Sequence, residues 1–202
     1  MPYRDPGPDV REWDKEQGAV SLRISAGTAK NPKTGEWVHL DLPFGPKPRL
    51  VLAHLNTEAL KTRSPEIDVE TSLTAFVRRI QKRPPTGPEI RAFKDQLSRL
   101  ATATIRMAMT TEDRVFQINN QIVSAFDLLI SVLRLSQDYF ASLQTHAVPL
   151  NELALGGQAH STMAPDLYAW LAQRLHRVPR GKPQFIAWAA LLRSSLVVDW
   201  VR

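Results

Sequence analysis

The side chains of this 202-residue sequence whose types and spacing suit chemistry are cations set on helical faces. Arg91, Lys94, Asp95 and Ser98 fall on one stripe of a helix, with Gln96 and Arg99 at its flanks. The opposite stripe is apolar: Ile90, Phe93, Leu97, Leu100 and Ala101. Arg78 and Arg79 occupy the exposed side of the preceding helix, and Arg106 lies on the strand that follows. Guanidinium and ammonium groups held on a rigid face can neutralise phosphates, and those that enter a groove can meet base edges. The expectation is groove contact for Arg91, Lys94 and Ser98, and phosphate contact for Arg99, Arg106, Arg78 and Arg79. A solvated helix face is the alternative for each of them.

Other chemistries find little footing. The histidines His39, His54, His146, His160 and His176 are scattered and form no HxH or HExxH pair. His54, on an amphipathic stretch, reads as a structural residue. There is no cysteine, which excludes disulfides and thiolate metal sites. No GxxxxGK[ST] phosphate loop occurs, nor a His-apolar-His arrangement with a tyrosine. Glu112-Asp113 sits in a turn and reads as solvated, not as an acid–base couple. Trp170 and Trp188 read as core residues. The expectation is a protein that is not an enzyme and uses no cofactor or metal.

Composition agrees with a soluble globular chain: 43% apolar and 23% charged residues are ordinary for that class. No run approaches the roughly 18 apolar residues of a membrane span, and the first residues lack the apolar core of a signal peptide. A cytoplasmic protein without a membrane partner is expected. The net charge of +6 favours polyanionic partners.

The elements that must position the cations can be read from periodicity. Residues 1–18, polar and rich in proline, read as a flexible arm. Ser21–Ala26 and Glu36–Leu42 alternate as strands, and the breaker run Asn31-Pro32-Lys33-Thr34-Gly35 between them predicts a hairpin. A first helix over Arg49–Thr62 buries Val51, Leu52, Leu55 and Ala59, and Ile67 and Val69 suggest a very short strand. A second helix places Leu73, Phe76, Val77 and Ile80 at i, i+3, i+4 and i+7. The third opens with a capping-box pair, Thr86 and Glu89, and a first-turn proline, Pro88.

The period then changes to 2 over Ile105, Met107 and Met109. Val115–Asn119 returns after a polar turn, a two-stranded wing in outline. The run Ile122–Leu135 reads as strand at both ends, with a helix over Ala125–Val132 as the alternative. A short helix follows at Ser136–Leu143 and a well-formed one from about Ala164 to Val178, the latter burying Leu167, Tyr168, Leu171 and Leu175, and another element begins at Phe185–Leu192. Three helices and a hairpin in this order are the parts of an α+β winged helix-turn-helix, whose third helix enters the major groove.

Several blocks in order carry a more specific likeness. They are Pro43-Phe44-Gly45, Pro48-Arg49-Leu50, Asn56-Thr57-Glu58-Ala59, Ser72-Leu73-x-x-Phe76 and Gln96-Leu97-x-Arg99-Leu100. Further on come His146-x-Val148-Pro149-Leu150 and Asp166-Leu167-Tyr168-Ala169-Trp170-Leu171-x-x-Arg174-Leu175. Over residues 36–190 the chain resembles the plasmid-encoded RepA-type replication initiators. The resemblance implies tandem winged-helix units, one mainly for dimer contact and backbone binding, the other for reading repeated sites at a plasmid origin. It implies binding of double-stranded origin DNA, local melting, a homodimer, and recruitment of host replication proteins. Leu192–Arg202 does not resemble the family's continuation, so the second winged-helix unit is expected to be incomplete. The expected division is an arm at 1–18, a complete first winged-helix unit at 19–143, and a partial second unit at 144–202. A winged-helix transcriptional repressor and a dimerisation module that binds no DNA are the competing readings.

Overall fold

The structure, a computed structural model, describes residues 1–187 apart from 32, 112, 127–131, 149, 159, 160 and 180. Among the described residues the chain is mixed α+β, with six helices and antiparallel sheets. The elements run β1 (Glu12–Gln17), β2 (Val20–Ser25), β3 (Thr28–Lys30), β4 (Trp37–His39), α1 (Pro46–Thr62), β5 (Glu66–Asp68), α2 (Val69–Gln81) and α3 (Gly87–Thr102). They continue through β6 (Thr104–Thr110), β7 (Val115–Asn120), β8 (Val123–Phe126), β9 (Val132–Leu135), α4 (Gln137–His146), α5 (Glu152–Gly157) and α6 (Met163–Arg177).

Helix α1 begins at Pro46, earlier than the expected Arg49, because prolines suit a first turn whose N–H groups have no helical acceptor. Its N-cap is Gly45 at φ 77°, a left-handed conformation that a side chain would disfavour. The Gly45 N–H donates to the carbonyl of Pro2 at 3.1 Å. Leu50, Val51, Leu55 and Ala59 are buried along the helix, as is His54, whose ring stacks on Phe76 at 4.5 Å. Asn56 accepts a 3.0 Å hydrogen bond from the hydroxyl of Tyr139 on α4, and burial pushes that phenol up to about 12.

The predicted apolar stripes of α2 and α3 both face the core. Leu73, Phe76, Val77 and Ile80 from α2 meet Phe93, Leu97, Leu100 and Ala101 from α3, joined by Ile67, Val123, Leu133 and Leu135 from a three-stranded sheet. The Val, Leu, Ile and Phe side chains among them contribute roughly 1.5–3 kcal/mol each when fully buried. The sheet has the order β5-β9-β8, with Ile67 opposite Leu133. The expected strand character at both ends of Ile122–Leu135 is therefore met, and the middle of that run lies outside the described residues.

The hairpin expected after α3 forms as β6–β7, with Met107 opposite Ile118. It does not join β5. It adds instead to β2, where Leu22 lies opposite Met107 and Ile24 opposite Ile105, in a four-stranded sheet of order β1-β2-β6-β7. The matched apolar alternation of β2 and β6 sets this register, and Ile24 packs with Leu42 and Ala103 in a second small core. Helix α3 passes into β6 through Ala103 alone, which is buried. Gly27 is pressed against the same joint, where an added Cβ would stand 2.1 Å from the carbonyl oxygen of Thr102.

Four expectations need correction. Residues 1–18 are not a free arm: β1 pairs with β2, placing Trp13 opposite Ile24 and over the small core. Arg11 adds donors to the carbonyls of Leu40, Ala26 and Gly27. The Asn31–Gly35 turn does make a hairpin, but between β3 and β4; the strand over Ser21–Ala26 pairs elsewhere, since its apolar face has better partners in β1 and β6. On α6 the buried residues are Pro165, Trp170 and Gln173, whereas Leu171 and Leu175 are exposed, because the helix turns its tryptophan face inward. The boundary expected after residue 143 is not a break in packing: Leu155 of α5 enters the main core, with Leu150 and Tyr168 packed against it. Leu192–Arg202, Trp188, His160 and Glu112 lie outside the described residues.

The tie between the start of α1 and α6 is Arg49. Its Nε donates to Asp166 at 2.8 Å, Nη1 to the Gly45 carbonyl at 2.7 Å and Nη2 to the Met1 carbonyl at 2.7 Å, with the guanidinium 5.0 Å from the Tyr3 ring centre. Only 7% of the Arg49 side chain is exposed, against 24% for Asp166. Removing one partner of a largely buried pair leaves the other charge uncompensated. Arg49→Met is expected to cost about 3 kcal/mol, read as a lower urea midpoint at unchanged slope.

Candidate nucleic-acid interface

The α2–turn–α3 unit is built locally. Asp68 caps α2 by accepting the N–H of Thr71 at 3.1 Å, and the hydroxyl of Ser72 donates to the Asp68 carbonyl. Helix α2 ends at Lys82, held at φ 55°. Such a left-handed turn reverses the chain in a few residues, and Pro84 and Pro85 stiffen the short segment that leads into α3. Glu89 then fixes the start of α3. It accepts the Thr86 backbone N–H at 2.7 Å and the Thr86 hydroxyl at 2.8 Å, and it pairs with Arg83. The Arg83 hydrogen bond, followed by those from Thr86, holds the Glu89 carboxyl at about 2, far below the usual glutamate range.

The predicted cations do not all belong to one surface. Arg78 and Arg79 are exposed on α2, and Arg91 and Lys94 are exposed on α3, so these four share the helix-turn-helix. Among the described residues no ion pair holds Arg91 or Lys94. Ser98 is half-buried, and its hydroxyl donates to the Lys94 carbonyl at 3.0 Å. Arg99 turns the other way. Its Nε is 3.0 Å from Asp95, its Nη2 is 3.4 Å from Asp41, and its guanidinium lies 5.4 Å from the Phe44 ring centre. With 16% of its side chain exposed, Arg99 clamps the connector before α1 onto α3. Gln96 helps from the same side by accepting the Phe44 N–H at 2.9 Å. Arg106 lies on the four-stranded sheet, opposite Arg23, and donates to the Ser25 hydroxyl at 2.8 Å.

Two members of the surface escape sequence reasoning. Lys82 and Arg83 are exposed in the turn between the helices, adjoining Arg78 and Arg79 in the chain. The signal was available as a charge run, but a Lys-Arg-Pro-Pro string reads first as a helix breaker. With them, residues 78–95 hold six exposed cations, Arg78, Arg79, Lys82, Arg83, Arg91 and Lys94, against two carboxylates, Glu89 and Asp95. Such a focused positive field attracts a polyanion and falls off with added salt.

Both the sequence and the fold have known relatives. Residues 42–190, most of the chain, match the family model described as plasmid-encoded RepA protein. No curated protein matches. Two crystal structures share the fold. Domains 2 and 3 of RctB, as a selenomethionine derivative, are 10% identical with a TM-score of 0.60, covering 94% of this chain and 78% of that one. A second structure of RctB domains 2–3 is 11% identical with a TM-score of 0.57, covering 88% and 69%.

Two outcomes test the geometry. Glu89 ionises more readily folded than unfolded, so its contribution is complete above its unfolded pKa of 4.5 and is lost as pH falls towards about 2. Glu89→Gln should therefore flatten the acid limb of stability between those limits, as read by thermal unfolding across pH. Arg99→Ala should cost about 1–2 kcal/mol of stability, read as a lower urea midpoint at unchanged slope.

Proposed function

The chain belongs to the family of plasmid-encoded RepA proteins, and on that premise we propose that it is a plasmid replication initiator. It binds double-stranded origin DNA through the α2–α3 unit, without chemistry of its own, and helps to recruit host replication proteins. The observation that carries the reading is the concentration of six exposed cations, against two carboxylates, within residues 78–95 of one helix-turn-helix. A fold likeness to RctB domains 2 and 3 alone says nothing of a ligand; the exposed cations are what suit a polyanion.

The finer architecture of the reading is a winged helix formed by α1, β5, α2, α3, β8 and β9. The strand between the first two helices pairs with the last strand of the sheet, and that strand with the one before it, which is the strand order such a unit requires. On this assignment the hairpin β6–β7 is an insertion between α3 and β8, and the wing is β8–β9. Arg91 and Lys94 approach the groove from the exposed face of α3. Arg78, Arg79, Lys82 and Arg83 grip the flanking backbone, where cations position a protein without reading sequence. Arg106, on another sheet, makes at most a peripheral phosphate contact.

Substituting Arg91 and Lys94 together by Ala should leave the unfolding midpoint in place and weaken binding to origin duplex. The slope of log affinity against log salt should shrink by about one for each phosphate contact removed. Unchanged affinity and slope in a fluorescence-anisotropy titration would exclude α3 as the contacting helix.

A further inference from the structure

We propose that the β3–β4 hairpin is a binding site for single-stranded DNA, where an unpaired base stacks on Trp37 and Lys30 and Lys33 meet the backbone. The indole of Trp37 is 71% exposed, whereas Trp13 packs on the small core and Trp170 is buried. The hairpin does not depend on that indole. Its inner face is Ala29, which is buried, with Val38 opposite. Its turn is closed by the Asn31 N–H, which donates to the Glu36 carbonyl at 2.8 Å, and by the Gly35 N–H, which donates to the Asn31 carbonyl at 2.9 Å. The Asn31 side chain accepts the Lys33 N–H at 2.9 Å, and Arg11 ties both ends of the hairpin through the carbonyls of Gly27 and Leu40.

The register decides what stands around the ring. Lys30 lies opposite Trp37 and Thr28 opposite His39, so these four exposed residues share the outer face. The Arg11 guanidinium joins them, 3.4 Å from Nδ1 of His39. Lys33 is exposed in the turn. Residues 28–39 hold one carboxylate, Glu36, and alternation puts it on the other side from Trp37. The outer face is thus an exposed aromatic ring among cations, on a ribbon held rigid from both ends.

Such a face suits a ligand with negative charge and a flat π surface, and a single strand offers both at every nucleotide. A duplex does not, because its bases are stacked on both sides and a flat ribbon reaches only their phosphates. Stacking does not distinguish DNA from RNA, and the choice of DNA rests on the function proposed above. The site itself shares no residue with α2 and α3, so the two can fail separately.

Anisotropy titrations of the full chain with oligothymidine, oligouridine and a mixed-sequence duplex provide the test. Trp37→Ala should weaken oligothymidine binding about tenfold, with duplex affinity and unfolding midpoint in place, and Trp37→Phe should restore most of it. Lys30→Gln should shrink the salt slope for oligothymidine by about 0.7. Oligothymidine should quench tryptophan emission in the wild type but not in Trp37→Phe. A wild type that leaves oligothymidine unbound, a Trp37→Ala variant that binds it as before, quenching that survives in Trp37→Phe, or tighter binding of oligouridine would each overturn the proposal. If the Arg91 and Lys94 double variant keeps its duplex affinity while the Trp37 quenching stands, the proposed function fails and this site does not.

Discussion

The arrangement of the helices rests on one guanidinium. Arg49 is largely buried, and a buried cation is tolerated only where acceptors meet it on several sides. Here a carboxylate and two carbonyls do so, from α6, from the turn before α1 and from the beginning of the chain. A lysine could not serve them together, since its point charge lacks the planar fork that directs three nitrogens apart. Asp166 is doubly placed, because an acidic residue in the first turn of a helix also meets the positive end of the helix dipole. One side chain thus secures the start of α1, the start of α6 and the N-terminal segment, and α1 in turn carries α3, α4 and β5.

Several of the sequence blocks that carry the resemblance supply, in this fold, ties of this sort. Gln96 and Arg99 hold the connector that contains Phe44; Asn56 holds Tyr139; Arg49 holds Asp166. Their partners are far away in the chain, which is why their roles could not be read from spacing. Arg99 is the clearest case. On a helical wheel it flanks the cationic stripe, and only the position of Asp41 shows that it faces inward.

What was legible is what depends on neighbours in the chain. The stripes of α2 and α3, the capping pair Thr86–Glu89 and the turn at Asn31–Gly35 follow from local periodicity and local hydrogen bonds. Strand pairing does not. The partner of Ser21–Ala26 depends on which apolar alternation meets it across space, and two better matches lay on either side of it. The same holds for residues 1–18, whose strand exists only because β2 is there to receive it. On α6, period alone could not say that Trp170 faces inward while Leu175 stays out, since that depends on what the helix docks against. Most of the cationic surface was legible, because Arg78, Arg79, Arg91 and Lys94 are placed by their own helices.

The passage from α3 to β6 has a mechanical meaning. Ala103 is the entire joint, it is buried, and Gly27 is wedged against the last turn of the helix with no room for even a methyl group. A joint one residue long, in an interior packed as closely as proteins are, leaves few dihedral angles in which a tilt of the helix could be absorbed. What those angles do not take up falls on β6 and on its ladder with β7.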